Sequence, residues 1–388
     1  MTPVEEIISS AGFPVYLHGF SAVDSYLGRN RSAAVYILCG ADIAGLARLF
    51  ENLRYPGAAF ADAALNCGSK TVYFRCEDSE YPLQNYRPSV KFLNFYQDCK
   101  TRHFHDPGNL YPLLRNILKG TAAPYCPQLP ELLNPETGSI LTQHDLADCA
   151  MILARYFPET PARKIKEITA VFNNVNLSSP PCKEEQRALL TALLEAPNPS
   201  AGFELLKNSG YIKAYWPELA VMDDVDHSKE FHPEGNVWKH TMETLRYRKA
   251  GAQGFELGLS LGLLLHDIGK PVSESAGSRR FDGHAELGES QARRLLERLE
   301  FPSPLVKDVC YLVRNHMLPA ALPRLPLART GGIMESPLFP ALMELYRCDE
   351  SSSFKGLDGY YQSSAAYQSF LKHRRNPYRS ADGKKIRN

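Results

Sequence analysis

Four histidines and two aspartates in the second half of this 388-residue chain have the types and the spread expected of metal ligands. His240 stands in HPEGNVWKHTMETLRY. His266 and Asp267 are adjacent in His266-Asp267-Ile268-Gly269-Lys270, at the end of the apolar run Leu257 to Leu265. His284 follows in FDGHAELGES, His316 in LVRNHM and Asp349 in ELYRCDE. Neutral imidazoles and carboxylates suit zinc, iron, manganese or nickel. These residues lie on separate helix-like segments, so the six could meet in the core of a helical bundle, where such sites are built. A lone histidine on an apolar helix is usually a satisfied core residue. The adjacent His266-Asp267 pair is the stronger signal, because a buried, ionised aspartate needs a cation or hydrogen bonds to compensate it.

The order His, His-Asp, distant Asp resembles the HD superfamily of metal-dependent phosphohydrolases. More narrowly, FHPEGNVWKHT, LLLHDIGKP, FDGHAELG and LVRNHM are similar to the HD domain of bacterial tRNA nucleotidyltransferases (CCA-adding enzymes) and related poly(A) polymerase-like proteins. The resemblance implies that His240, His266, Asp267 and Asp349 hold one divalent ion. Asp267 would bridge to a second, held by His284 and His316. One or two ions of Mn, Fe, Ni, Zn or Mg are compatible with this set. On the same reading Asp267 and Lys270 are catalytic. Two ions grip phosphoryl oxygens, and Lys270, within one helical turn, reaches a phosphate oxygen as a point charge. A helix-end cation is the bland alternative for Lys270. Arg314 and Asn315, beside His316, are weaker substrate contacts. Arg279 and Arg280 precede His284 and could meet an anion, although surface solvation explains them equally well. His227 and His232 read as loop residues.

The elements that must position these residues follow from length and pattern. A chain this long exceeds one ordinary core, so two or three domains are expected. Charge is almost balanced, 44 Lys and Arg against 43 Asp and Glu, and argues neither for nor against nucleic acid. Nine cysteines without a C-x-x-C pair point to reduced thiols. The N-terminus carries acids where a signal peptide carries bases, and no apolar run reaches membrane-span length. A cytoplasmic protein that does not meet a membrane is expected.

Residues 1–115 mix short apolar runs with turns. Helices are predicted at Pro3–Ser10, Ser21–Leu27 and Ile43–Leu53, and strands at Pro14–Leu17, Ala34–Leu38 and Thr71–Arg75. GFPVYLHGFSAVDSYLGR resembles the nucleotidyltransferase head of the CCA-adding family, in which a Gly-Gly pair precedes a helix ending in Leu-Gly-Arg. The next strand there carries two metal-binding carboxylates. Here the first glycine is His18, the carboxylate positions fall on Ala33 and Val35, and an Arg-Arg-Asp-Phe element survives only as Thr101-Arg102-His103-Phe104. Residues 116–220 read as a helical neck that binds RNA or nucleotide, with helices at Leu146–Phe157, Ala162–Phe172 and Glu184–Leu194. Pro-rich joints, Pro127-Gln128-Leu129-Pro130 among them, separate these helices. Residues 227–355 are the HD domain, and 356–388 a C-terminal helix, from Tyr360 to about Arg374, with a basic tail. The fold class expected is therefore α+β: a small mixed-sheet head, a mostly α-helical neck and an all-α HD domain.

These readings together predict a metal-dependent phosphohydrolase acting on a nucleotide or an RNA 3′ end, such as that of tRNA, with nucleotidyl transfer absent. An active tRNA nucleotidyltransferase or poly(A) polymerase, whose rescue carboxylates would be Asp24, Asp42 or Asp62, is the first alternative. A non-catalytic RNA-binding protein with a structural metal site is the second.

Overall fold

The computed structural model describes residues 3–29, 33–86, 88–121, 141–157, 159–226, 235–251, 256–275, 281–353 and 356–374, with positions 378, 384 and 385. His227, His232, Arg279, Arg280, the joint at Pro127–Pro130 and most of the basic tail lie outside the described residues. The chain divides into two compact units, Met1–Tyr215 and Trp216–Asn388. The head expected at residues 1–115 falls within the first, and the neck expected at 116–220 runs five residues beyond it.

Unit 1 is built on a six-stranded mixed sheet: β1 (Val15–His18), β2 (Ala34–Cys39), β3 (Ala63–Cys67), β4 (Lys70–Cys76), β5 (Tyr96–Asp98) and β6 (Phe104–His105). Their order is β3-β4-β2-β1-β5-β6. β2 and β4 run parallel and every other pair is antiparallel. The β2 sequence AVYILC is buried from Val35 to Cys39, as a strand covered on both faces must be. The first helix of the head proper is Phe20–Tyr26, and it leads from β1 to β2. Gly19 caps it at φ 53°, a left-handed angle that suits glycine.

The helix predicted to run to Leu53 stops at Leu49. Phe50 turns extended and stacks on Phe74 of β4 with ring centroids 6.0 Å apart. Packing on the sheet thus overrides helical spacing. In the helical part of unit 1, Gln143–Tyr156 starts earlier than its apolar pattern. Thr142 caps it, and Asp145 returns a carboxylate oxygen to the Thr142 N–H at 2.8 Å. Ala162–Val171 and Lys183–Leu194 complete the expected set, followed by Pro199–Asn208.

In unit 2 every principal element among the described residues is helical. Asn236 caps Val237–Arg246 through the Lys239 N–H at 2.9 Å. Leu257–Leu265 (LGLSLGLLL) is buried nearly all round. Gly262 lets Leu312 and Leu345 approach it: a Cβ there would stand 2.9 Å from Leu312 Cδ1. His284–Arg298, Ser303–Asn315, Phe339–Ser351 and Asp358–Arg374 surround this helix or extend the unit. Among the described residues no helix is long and apolar enough to cross a membrane.

Candidate functional site

The six predicted ligands of unit 2 converge. His240 Nε2 lies 3.0 Å from Asp349 Oδ1 and 3.9 Å from Asp267 Oδ2. His266 Nε2 is 3.3 Å from Asp267 Oδ2 and 4.0 Å from Asp349 Oδ1. On the other side of the same carboxylate, Asp267 Oδ1 is 3.5 Å from His284 Nε2 and 3.7 Å from His316 Nε2. Two groups emerge whose ligand atoms could hold an ion: His240, His266 and Asp267, and Asp267, His284 and His316. His240, Asp267, His284, His316 and Asp349 border a cavity of about 250 Å³, which Lys270, Phe281, Tyr346 and Glu350 also line.

Local backbone sets the ring orientations. His266, His284 and His316 each place Nδ1 within 2.7–2.8 Å of the carbonyl oxygen three residues earlier, on Leu263, Phe281 and Val313. A carbonyl only accepts, so Nδ1 carries the proton and donates it. Nε2 is then left with a lone pair aimed into the cavity. The Ser352 hydroxyl donates to the Asp349 carbonyl at 2.7 Å and stands 3.3 Å from His240 Nδ1, where it can accept. Such partners fix the tautomer of metal-bound histidines.

This arrangement provides a test of fit. His266 Nε2 is buried with no hydrogen-bond partner. His284 Nε2 and His316 Nε2 are only 3.0 Å apart. With both Nδ1 atoms protonated, two lone pairs face each other, which is unfavourable unless a cation or a shared proton lies between them. The donor set therefore fits a divalent ion. Protonation states agree. Burial pushes the His316 imidazole down to about 4, against the opposing pull of Asp267. Burial also lowers His284. It pushes the Asp267 carboxyl up, but Lys270 and His266 outweigh it and hold that group well below the usual range. Asp349 is likewise kept low: burial pushes it up, but its hydrogen bond with His240 outweighs that effect. Neutral imidazoles and ionised carboxylates are the forms that metals take.

Close packing positions the two halves. A Cβ on Gly269 would stand 2.0 Å from the His284 carbonyl oxygen and 2.5 Å from the Gly288 nitrogen. The HDIGK turn and the His284 helix thus touch backbone to backbone. Phe281 adopts φ 56°, costly for a non-glycine residue, and its ring lies 5.6 Å from Lys270 Nζ.

Not every predicted contact reaches the cavity. Lys270 lines it, but Nζ is 2.6 Å from Asp267 Oδ2, so its charge already serves a ligand. It is not the spare phosphate-binding cation the sequence suggested. Arg314 pairs with Glu286 and Glu289 at 3.4 and 3.5 Å. Asn315 Nδ2 donates to the Tyr311 carbonyl at 2.8 Å. Neither borders the cavity. Ser352, Gly269 and Gly288 escaped sequence reasoning, since a lone serine or glycine carries no spacing signal.

Unit 1 holds a second pocket, which sequence reasoning missed. Tyr36, Phe60 and Tyr86 wall it, and His18, Asp148 and Glu185 add polar groups. His18 Nε2 is buried without a partner, and burial, reinforced by Arg75, lowers that imidazole to about 3. Burial and then Asp145 push the Asp148 carboxyl well above its ordinary value. Val35 is buried in β2, and Ala33 donates its N–H to Glu195 Oε2 at 3.1 Å. The three rescue aspartates are all engaged. Asp24 accepts from Arg155 at 2.5 Å and from Tyr156 at 2.8 Å. Asp62 accepts from Arg75 at 3.1 Å and from the Cys76 N–H at 2.9 Å. Asp42 caps a helix through the Gly45 N–H at 2.6 Å.

The HD domain family model matches residues 237–344, which lie in unit 2. Relatives that match about a third of the chain include tRNA nucleotidyltransferases. The chain is 34% identical over 141 residues to the CC-adding tRNA nucleotidyltransferase of Thermus thermophilus, 35% of this chain and 32% of that one. It is 35% identical over 130 residues to the multifunctional CCA protein of Halorhodospira halophila, covering 33% and 30%. With the A-adding tRNA nucleotidyltransferase of Deinococcus radiodurans the identity is 32% over 142 residues, covering 36% and 32%. The chain thus matches about a third of the length of these relatives. Among solved structures, a Bacillus stearothermophilus CCA-adding enzyme in complex with CTP is 12% identical, with a TM-score of 0.49 over 96% of this chain and 84% of that one.

These relatives overturn one expectation. A phosphohydrolase was inferred from the likeness of the six-residue set to the HD superfamily, and the absence of nucleotidyl transfer from Ala33 and Val35, yet relatives bear tRNA nucleotidyltransferase names. The lack of carboxylates at those two positions does not empty the unit of acids, as Asp24, Asp42 and Asp62 show.

Proposed function

We propose that this chain adds nucleotides to an RNA 3′ end, that of tRNA in the first instance, and that unit 2 holds one or two divalent ions. The observation that carries the reading is the unit 1 pocket. Aromatic faces at Tyr36, Phe60 and Tyr86 suit stacking on a planar base, and the Asp148 carboxyl, raised by burial, lines the same pocket within reach of a base edge. The names of the relatives support the reaction. Transfer also requires carboxylate-held metal near the triphosphate. Of the three aspartates offered in place of Ala33 and Val35, Asp24 and Asp62 are bonded to arginines and Asp42 to a backbone N–H. Asp42 is therefore the first to exchange. In unit 2 His240, His266, Asp267, His284, His316 and Asp349 would hold the ions, which would attract an anionic ligand. The chain's own part there is to keep the imidazoles neutral and their Nε2 atoms pointed inward.

Incorporation of labelled CTP or ATP into tRNA lacking its terminal nucleotides is the test. Incorporation should fall in Asp148→Ala and Asp42→Asn and persist in His266→Ala. No incorporation of either nucleotide by the unaltered chain, with excess magnesium, refutes the proposal. Metal analysis of the same preparation should find bound ions that Asp267→Ala releases.

A further inference from the structure

Two thiols that play no part in either site meet at one end of the sheet. Cys39 and Cys76 are the last residues of β2 and β4 and are direct partners in the parallel register of those strands. Residues opposite one another in parallel strands point to the same face, and Cys39 Sγ donates to the Arg75 carbonyl, next to Cys76, at 3.7 Å. Cys39 is fully buried and Cys76 half-buried. A third cysteine of the sheet, Cys67, is exposed and faces Lys70 rather than another thiol.

We propose that Cys39 and Cys76 form a reversible disulfide, a redox modification site in the head sheet, with a peroxide as the oxidant. The half-buried Cys76 is the sulfur that solvent reaches. Its sulfur attacks the peroxide, the O–O bond breaks, one oxygen stays as a sulfenic acid and the other leaves as water. Cys39 then attacks the Cys76 sulfur, the S–S bond forms and the hydroxyl leaves with the thiol proton as a second water. Two thiols are oxidised and one peroxide is reduced, so the step balances.

Geometry allows the bond: paired strands lie about 4.7–4.9 Å apart, inside the range of about 4.4–6.8 Å that disulfides span between Cα atoms. Both residues sit at strand ends, and β2 gives way at once to Gly40. The same two strands carry Tyr36 and Tyr73, stacked at 5.7 Å, and Tyr36 walls the unit 1 pocket. The bond would therefore tie together the strands beneath that pocket.

The test uses the full chain in a Cys67→Ser background, so that the exposed thiol does not obscure the result. Reduced protein is treated with hydrogen peroxide, free thiols are titrated and non-reducing digests are analysed by mass spectrometry. The expected result is a loss of two titratable thiols, a Cys39–Cys76 linked peptide lighter by about 2 Da than the sum of its parts, and full reversal by dithiothreitol. The same treatment in denaturant should not give this link preferentially, and Cys76→Ser should abolish it in the native chain. Cys76 remaining reduced under peroxide, advancing to a sulfinic acid without a link, or joining a cysteine other than Cys39 would each overturn the proposal.

Discussion

Gly269→Ala isolates what holds the two halves of the histidine cluster together. The added Cβ would stand 2.0 Å from the His284 carbonyl oxygen and 2.5 Å from the Gly288 nitrogen. Both neighbours are backbone, so neither can swing aside as a side chain would. Relief requires the HDIGK turn and the His284 helix to part by about 1 Å, and overpacking of this kind costs about 1–3 kcal/mol. For a unit of this size each kcal/mol is worth about 2–4 °C, giving a drop of about 2–12 °C in the melting temperature. His284 Nε2 now lies 3.5 Å from Asp267 Oδ1. Metal–ligand distances tolerate only about 0.2 Å of error, so the shift should remove His284 from any ion shared with Asp267 and His316. Bound metal should weaken by about tenfold or more. Calorimetry and metal titration of the full chain read both effects. Gly332→Ala is the control. Gly332 lies in the helix Leu327–Met334 and a Cβ there meets nothing within 4 Å. That variant should gain about 0.5–1 kcal/mol from helix propensity. If Gly269→Ala melts with the parent and binds metal equally well, backbone contact at Gly269 is not what places His284.

Three further outcomes are expected. Metal-free protein should lose stability as pH falls from 6.5 towards 4. His316 is held neutral to about 4 in the fold, while the unfolded chain takes up its proton near 6.5, so the unfolded state binds more protons in that window. The loss is at most about 3 kcal/mol for this group, and denaturant melts across the range in chelator will show it. Arg155→Ala should strand the buried Asp24 carboxylate, whose other bond is accepted from the Tyr156 hydroxyl. Breaking such a pair costs about 3–5 kcal/mol, and Asp24→Asn in the same chain should recover part of it in a urea melt. Ser352→Ala removes the hydroxyl beside His240 Nδ1. Metal affinity should fall by about tenfold with little change in unfolding midpoint without metal, as competition with a chelator will measure.

What could be read before folding depended on how many residues carried each signal. The helix Leu257–Leu265 was legible to both ends, because every face is apolar and His266-Asp267 marks where the run ends. The meeting of His240, His266, Asp267, His284, His316 and Asp349 was legible because their order and flanking segments repeat a known pattern. β5 and β6 were not placed: three and two residues are too few to show alternation. Phe50 and Leu53 continue a helical spacing, yet Phe50 is claimed by Phe74, a contact that local pattern does not contain. Arg314 and Asn315 stand next to His316 in sequence, but one helix presents neighbours to different sides, and Arg314 goes to the carboxylates of the His284 helix. The unit 1 pocket was invisible because its polar groups, His18, Asp148 and Glu185, come from three distant segments with no shared spacing.

Charge counting around the unit 2 cavity has a consequence for anyone measuring its stoichiometry. Asp267, Asp349 and Glu350 bring three carboxylates, Lys270 brings one ammonium, and the lowered His284 and His316 bring no charge near neutrality. Two negative charges remain, which one divalent ion neutralises. A second ion would leave the pocket with an excess of two positive charges, costly where His240, His266, Asp267 and His316 are almost wholly shielded from water. Its entry is therefore tied to the entry of anions, and the number of ions counted becomes a property of the buffer as much as of the protein. Dialysis into a medium poor in coordinating anions should report one equivalent, and addition of phosphate should raise the count towards two. The cavity then behaves as an ion-pair receptor, in which the affinity for the second cation and the affinity for an anion are one thermodynamic quantity seen from two sides.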